Sequence, residues 1–186
     1  MIFQSFLLDI NESNAYIVAS ETTRDAILID IGEFDARIQD FIEENNLKLN
    51  AVFITHDHYD HTSGIPELTR QYRVKILSAA GNAGRTAGKR VGHGDKIEVG
   101  DMTGTVFLTP GHTNDSISLA FPGLVFTGDA LFSGSVGGVG STGAAQRQID
   151  AIRQHIFALP DDCEIHPGHG PASTIAIEKN HNPFFV

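Results

Sequence analysis

The chain has 186 residues, 41% of them hydrophobic, and a formal net charge of −10. That length suits one domain spanning residues 1–186 with a sizeable core, and is short for two. The acidic balance and the lack of clustered Lys and Arg argue against nucleic acid as a partner, because phosphate binding needs concentrated positive charge. Cys163 is the single cysteine, so no intramolecular disulfide can form, which fits a reducing compartment. The start, Met1 to Ser5, lacks the charged and apolar signature of a signal peptide, and no apolar run approaches the ~20 residues of a membrane span. These features predict a soluble, cytoplasmic protein with no membrane partner; they leave its oligomeric state open.

In chain order, Phe3 to Leu8, Asn14 to Ala19 and Ala26 to Ile31 read as short strands separated by turn-prone residues. Phe34 to Asn46 places Phe34, Ile38, Phe41 and Ile42 at helical spacing. Ala51 to Ile54 is a fully apolar strand of the buried kind, leading directly into Thr55-His56-Asp57-His58-Tyr59-Asp60-His61. A helix to Tyr72 follows, capped by Thr62 or Ser63 with help from Glu67, and then a strand over Val74 to Ser78. Residues 81–96 read as a loop. Strands return at Lys96 to Val99, Thr103 to Thr109, Ser116 to Phe121 and Leu124 to Phe126, and residues 133–143 form a Gly-rich connector. Helices are expected over Ala144 to Leu159 and Ser173 to Asn180. The two-half rhythm of strands then helix predicts an α/β fold, an αβ/βα sandwich of two sheets face to face with helices outside.

The chemistry concentrates where strands end. Three imidazoles and a carboxylate in His56-x-His58-x-Asp60-His61 are ligand types for zinc, iron or manganese. Alternate side chains His56 and His58 can converge on one ion, leaving Asp60 and His61 to face a second. Three later strand ends each add one ligand type: His112 in Thr-Pro-Gly-His-Thr, Asp129 in Thr-Gly-Asp, and His169 in Pro-Gly-His-Gly. Singly, a Gly-Asp or Gly-His after a strand is an ordinary turn. Together they complete a set of five histidines and two aspartates.

This combination resembles the metallo-β-lactamase superfamily, in particular its short glyoxalase II-like (hydroxyacylglutathione hydrolase-like) members. The resemblance implies the four-layer sandwich of two mixed sheets. It also implies one ion on His56, His58 and His112, a second on Asp60, His61 and His169, and Asp129 bridging both. Two such divalent cations, zinc first and iron or manganese as alternatives, would share a hydroxide that attacks a polarised carbonyl, with Asp60 and Asp129 as catalytic residues. No general acid stands out in the sequence. That favours a thioester or activated ester as the small-molecule substrate, since a thiolate, with a conjugate acid pKa of about 8.5, departs without one.

Glyoxalase II-like proteins often follow the Gly-Asp motif with a Gly-Arg-Thr-Asp run; here Gly137 is followed by Gly138-Val139-Gly140. Glutathione recognition is therefore not carried over with the metal chemistry. Alternative activities are persulfide dioxygenation on a single iron and acyl-homoserine lactone hydrolysis. Of the remaining candidates, His93 reads as an exposed turn residue, His155 as solvated, His166 as packed, and His181 as part of the tail. Tyr59 reads as facing substrate or covering the site, and Arg85, Lys89 and Arg90 as a loop surface or, alternatively, as a contact for an anionic substrate.

Overall fold

The computed structural model describes residues 1–186. Its strands and helices in chain order are β1 (Ile2–Leu7), β2 (Asn14–Ala19), β3 (Asp25–Ile29), α1 (Ala36–Glu44), β4 (Lys48–Phe53), α2 (Tyr59–Thr62), α3 (Ile65–Gln71) and β5 (Lys75–Ser78). Three short strands follow, β6 (Asn82–Ala83), β7 (Thr86–Ala87) and β8 (Lys89–Arg90), then β9 (Lys96–Val99), β10 (Met102–Leu108), β11 (Ile117–Phe121) and β12 (Leu124–Gly128). The chain continues through β13 (Leu131–Phe132), β14 (Ser135–Val136), α4 (Thr142–Ala151), a π-helical turn (Ile152–Ile156), β15 (Glu164–Pro167), β16 (Ser173–Thr174) and α5 (Ile175–His181). No helix is long and apolar enough to cross a membrane.

Two six-stranded mixed sheets result. The first has the order β1-β2-β3-β4-β5-β8, antiparallel as far as β3 and parallel beyond it. The second has the order β16-β15-β12-β11-β10-β9, in which only β12 and β15 run parallel.

The central strands β2 and β3 of the first sheet are buried along nearly their whole length because both faces of the sheet are covered there. Alternation sends Val18, Ile27, Ile29 and Phe53 towards the second sheet, where they meet Ile117, Leu119 and Phe126. It sends Ile17, Leu28 and Val52 the other way, against Ile38 and Ile42 of α1 and Ile65 and Leu68 of α3. On the far face of the second sheet, Val125 and Ile165 pack on Ile152, Ile156 and Ile175. The four-layer sandwich expected from the sequence is thus present.

Three local expectations need correction. The segment 81–96 is not a plain loop: β6 and β7 form a hairpin turning at Gly84 and Arg85, both left-handed (φ 51° and 64°), and β8 extends the first sheet. Two-residue strands are too short to show a period. Neither Thr62 nor Ser63 caps α3, whose N-cap is Gly64 without a side-chain bond. Their hydroxyls donate instead to the carbonyls of His58 and Tyr59 (2.9 and 2.6 Å), closing the preceding turn, while Glu67 pairs with Arg70 and Gln71. The connector 133–143 is also more structured than its glycines suggest. It contains the β13–β14 hairpin and the N-cap Ser141, whose Oγ accepts from the Ala144 N–H (3.2 Å).

Phe53 is fully buried between the sheets. Phe53→Ala should cost about 3–5 kcal/mol in urea unfolding; a loss below about 1 kcal/mol would show that the inter-sheet layer is not close-packed there.

Candidate metal centre

Strands of both sheets end at one edge of the sandwich, and each delivers a polar side chain there. β3 ends before Asp30 and β4 before the His56 segment, while β12 is followed by Asp129, β15 by His169, and the β10–β11 connection carries His112. Close backbone approach makes the convergence possible. A Cβ on Gly168 would lie 2.2 Å from Asp129 Oδ1 and 2.8 Å from His61 Cε1, so no other residue fits without displacing them. Backbone bonds tie the sheets at this edge: Ile117 N–H donates to the Thr55 carbonyl and Asn14 N–H to that of Gly168 (2.9 and 2.8 Å).

All seven sequence-predicted residues meet here in two adjoining groups. His58 Nδ1 lies 3.0 Å from both His56 Nε2 and His112 Nε2. In the second group, His169 Nε2 lies 3.5 Å from Asp60 Oδ2, and His61 completes the cluster. Asp129 touches both groups. Its Oδ2 is 3.5 Å from His112 Nε2, 4.0 Å from His56 Nε2 and 3.6 Å from His169 Nε2, and its Oδ1 is 3.5 Å from His61 Nε2.

The supporting hydrogen bonds fix which nitrogens face inward. Asp30, buried and left-handed (φ 54°), accepts from Thr55 N–H (2.8 Å) and Thr55 Oγ1 (2.7 Å). Its Oδ2 also takes the His61 Nδ1–H at 3.0 Å. The Thr55 hydroxyl, having donated to Asp30, accepts from His56 Nδ1–H (3.1 Å), and the Gly138 carbonyl accepts from His112 Nδ1–H (2.8 Å). Each of these rings therefore turns Nε2 toward the cluster. Asn14 Nδ2 and the Tyr16 hydroxyl donate to the Pro167 carbonyl (3.1 and 2.6 Å), and Asn14 also to that of Gly170 (2.9 Å), fixing the turn that carries His169. Asp30, Thr55, Asn14 and Tyr16 had no signal in the sequence: an aspartate after a strand reads as a turn, and the bonds of Asn14 and Tyr16 join residues more than 150 positions apart.

The donor set fits cations. His61 Nε2 and Asp129 Oδ1 are buried with no hydrogen-bond partner, a costly condition that a positive ion between them would relieve. Three imidazole nitrogens at 3.0 Å likewise cannot all satisfy one another as donors and acceptors. Burial, reinforced by the neighbouring histidines, drives the His56 pKa far below the ordinary range and keeps that ring neutral. Burial also acts to lower His61, but Asp30, then Asp129 and Asp60, outweigh it and raise its pKa to about 9. Burial pushes the Asp129 carboxyl up against the pull of His61, His169 and His112. For Asp60, burial works upward, yet the Asn11 hydrogen bond and the neighbouring imidazoles leave it below the usual carboxylate range.

Residues 8–169 match the family model described as the metallo-beta-lactamase superfamily. The chain belongs to this superfamily. It is 41% identical over 124 residues to a hydroxyacylglutathione hydrolase of Idiomarina loihiensis, covering 66% of this chain and 49% of that protein. Across the curated relatives compared, the chain spans between about half and two thirds of their length. Among solved structures it is similar to ETHE1 from Myxococcus xanthus (TM-score 0.85, 33% identity, 98% of this chain and 84% of that one). It is also similar to a metallo-beta-lactamase from Staphylococcus aureus (TM-score 0.88, 28% identity, 100% of this chain and 62% of that one). The His/Asp cluster agrees with the binuclear site typical of the superfamily.

The other candidates lie outside the two groups. His166 is buried among Phe3, Tyr16 and Phe126, as expected of a packed residue. His155 is not simply solvated: its ring lies 4.4 Å from that of His93, and both pack near Phe107. His181 ends α5 rather than sitting in a tail. Tyr59 is 60% exposed and Arg85 lines a groove beside it, while Lys89 and Arg90 form β8 at the sheet edge.

Asp30→Asn should weaken metal binding about 10- to 100-fold, read by chelator competition, because the amide cannot accept all three bonds; unchanged affinity would remove Asp30 from its supporting role. Protonation supplies a second check. With a pKa of about 9 in the metal-free protein and about 6.5 unfolded, His61 adds stability that is fully present below pH ~6.5 and lost as pH rises through about 9. Metal must displace that proton, so calorimetric titration at pH 7.5 in buffers of different ionisation enthalpy should show release of about one proton; no buffer dependence would contradict this account.

Proposed function

We propose that the chain is a metal-dependent hydrolase of thioesters, of the hydroxyacylglutathione type, acting through two divalent cations. The observation that carries this reading is Asp129, whose two oxygens contact both ligand groups across a buried, otherwise unsatisfied gap. Relatives bearing the name hydroxyacylglutathione hydrolase support the substrate class.

His56, His58 and His112 would hold one cation, Asp60, His61 and His169 the other, and Asp129 both. Zinc suits these nitrogen and oxygen donors, and iron and manganese accept them as well. The cations would supply Lewis acidity and lower the pKa of water at the site toward neutrality. The protein's own part is to hold and orient. Asp30 and Thr55 keep the Nδ1–H of His56 and His61 engaged, so their Nε2 atoms stay available. Asp60, kept ionised, and Asp129 present carboxylate oxygens to the same space, where they orient the attacking water by accepting its hydrogens. Phe132 stands edge-on to His169, with ring centroids 6.2 Å apart. The departing thiolate needs no donated proton, which matches a mouth without an evident acid.

The test is hydrolysis of S-lactoylglutathione by protein loaded with zinc or with iron, against a chelated control. Turnover that the chelator abolishes is expected, and Asp129→Ala should lose nearly all of it together with at least one metal. An alanine variant that keeps both ions and full activity would refute the site, and no turnover with either metal would refute the substrate.

A further inference from the structure

We infer that Asn11 is a positioning residue: its carboxamide clasps Asp60 and Tyr59, setting the cation affinity of the Asp60–His61–His169 group and forming the wall between two flanking grooves. The inference rests on the metal-dependent reading of the site and extends it to a residue outside the ligand set.

Asn11 lies in the turn between β1 and β2, with φ 52° and ψ 22°, and Glu12 beside it is also left-handed at φ 53°. Two successive non-glycine residues in that region are unfavourable, although Asn tolerates it better than most. A glycine would remove the local strain, so the side chain must be explained by what it touches. Its Nδ2 donates to Tyr59 Oη at 2.5 Å and to Asp60 Oδ2 at 3.1 Å. Asp60 Oδ2 is the same oxygen that lies 3.5 Å from His169 Nε2. By occupying one acceptor position of that oxygen, Asn11 fixes the direction of the remaining one toward the cluster. The donor is neutral, so it orients the carboxylate without cancelling the charge that a cation needs. A lysine or arginine there would do both.

The second half of the clasp shapes access. Tyr59 lines a groove of about 450 Å³ together with Asp57, Ser63 and Arg85. Asn11 lines another of about 410 Å³ with Leu7, Glu12 and His169. The Asn11–Tyr59 hydrogen bond is therefore the ridge between them. Of the two, only the Asn11 groove includes a member of the cluster, His169, while the Tyr59 groove is bounded largely by residues that flank Asp60 in sequence, so the clasp separates a groove at the centre from one beside it.

Cobalt(II) titration of the full-length chain, followed by its visible absorption, tests the assignment without any substrate. Asn11→Gly is the informative variant, since glycine keeps the left-handed backbone and deletes only the carboxamide. It should bind the second equivalent of cobalt about 10- to 100-fold more weakly, with the first equivalent and the melting temperature of the metal-free protein unchanged. Tyr59→Phe leaves the Asn11–Asp60 bond in place. It should bind both equivalents normally while KM for a thioester rises several-fold at constant kcat. Loss of second-site affinity in both variants alike, or in neither, overturns the inference; so does loss of both equivalents with a lowered melting temperature. A chain that binds two cobalt ions and cleaves no thioester refutes the hydrolase proposal and leaves the role of Asn11 at Asp60 standing.

Discussion

A carboxylate buried at the end of a strand is stable only when its acceptor positions are filled, and Asp30 fills them with three bonds that each fix part of the centre. Two go to Thr55, the first residue after the apolar run of the fourth strand. Through Thr55 the constraint passes to His56, and through the third bond it reaches His61 directly. One ring in each group, His56 in the first and His61 in the second, thus takes its orientation from a single carboxylate that does not itself face the cluster. Its left-handed backbone is the local cost of placing a carboxylate under the loop rather than beside it.

The two sheets contribute unequally to this arrangement. The first supplies the His56 segment, Asp30 and, through Asn14 and Tyr16, the grip on the His169 turn. The second supplies His112, Asp129 and His169 themselves. Neither half holds a complete ligand set. The inter-sheet layer of Val18, Ile29, Phe53, Leu119 and Phe126 therefore does more than stabilise the chain: it keeps two incomplete sets of donors in register.

The residues of the candidate centre were readable because their signal is local. His56 to His61 lie within six residues after a buried strand, and His112, Asp129 and His169 each sit in a short Gly-containing turn. The sandwich was readable from the order of elements, since strands then helix repeat in two halves and each half builds one sheet with its helices. What escaped were contacts that join distant positions. Nothing in Asn14-Ala15-Tyr16 announces that two of its side chains hold a turn some 150 residues later, and Asn11 looks like an ordinary turn residue. The hydroxyls of Thr62 and Ser63 matched a capping pattern yet donate to the carbonyls of His58 and Tyr59, closing the turn before the helix. The pairing of His93 with His155 was hidden in the same way, as its partners come from a turn and a π-helical segment with no shared period.

His112 leans on the main-chain carbonyl of Gly138, and every amino acid carries that carbonyl. A Cβ built at residue 138 or 140 would meet nothing within 4 Å. The identity of the side chains along this stretch is thus decoupled from the orientation of the ligand it steadies. Natural variation or a directed library could rewrite residues 138–140 to greet a charged, polar or greasy partner while the inorganic chemistry stayed as it was. This stretch is where the chain carries Gly138-Val139-Gly140 rather than an Arg-Thr-Asp run. One fold could in this way serve many metabolites by editing a few codons.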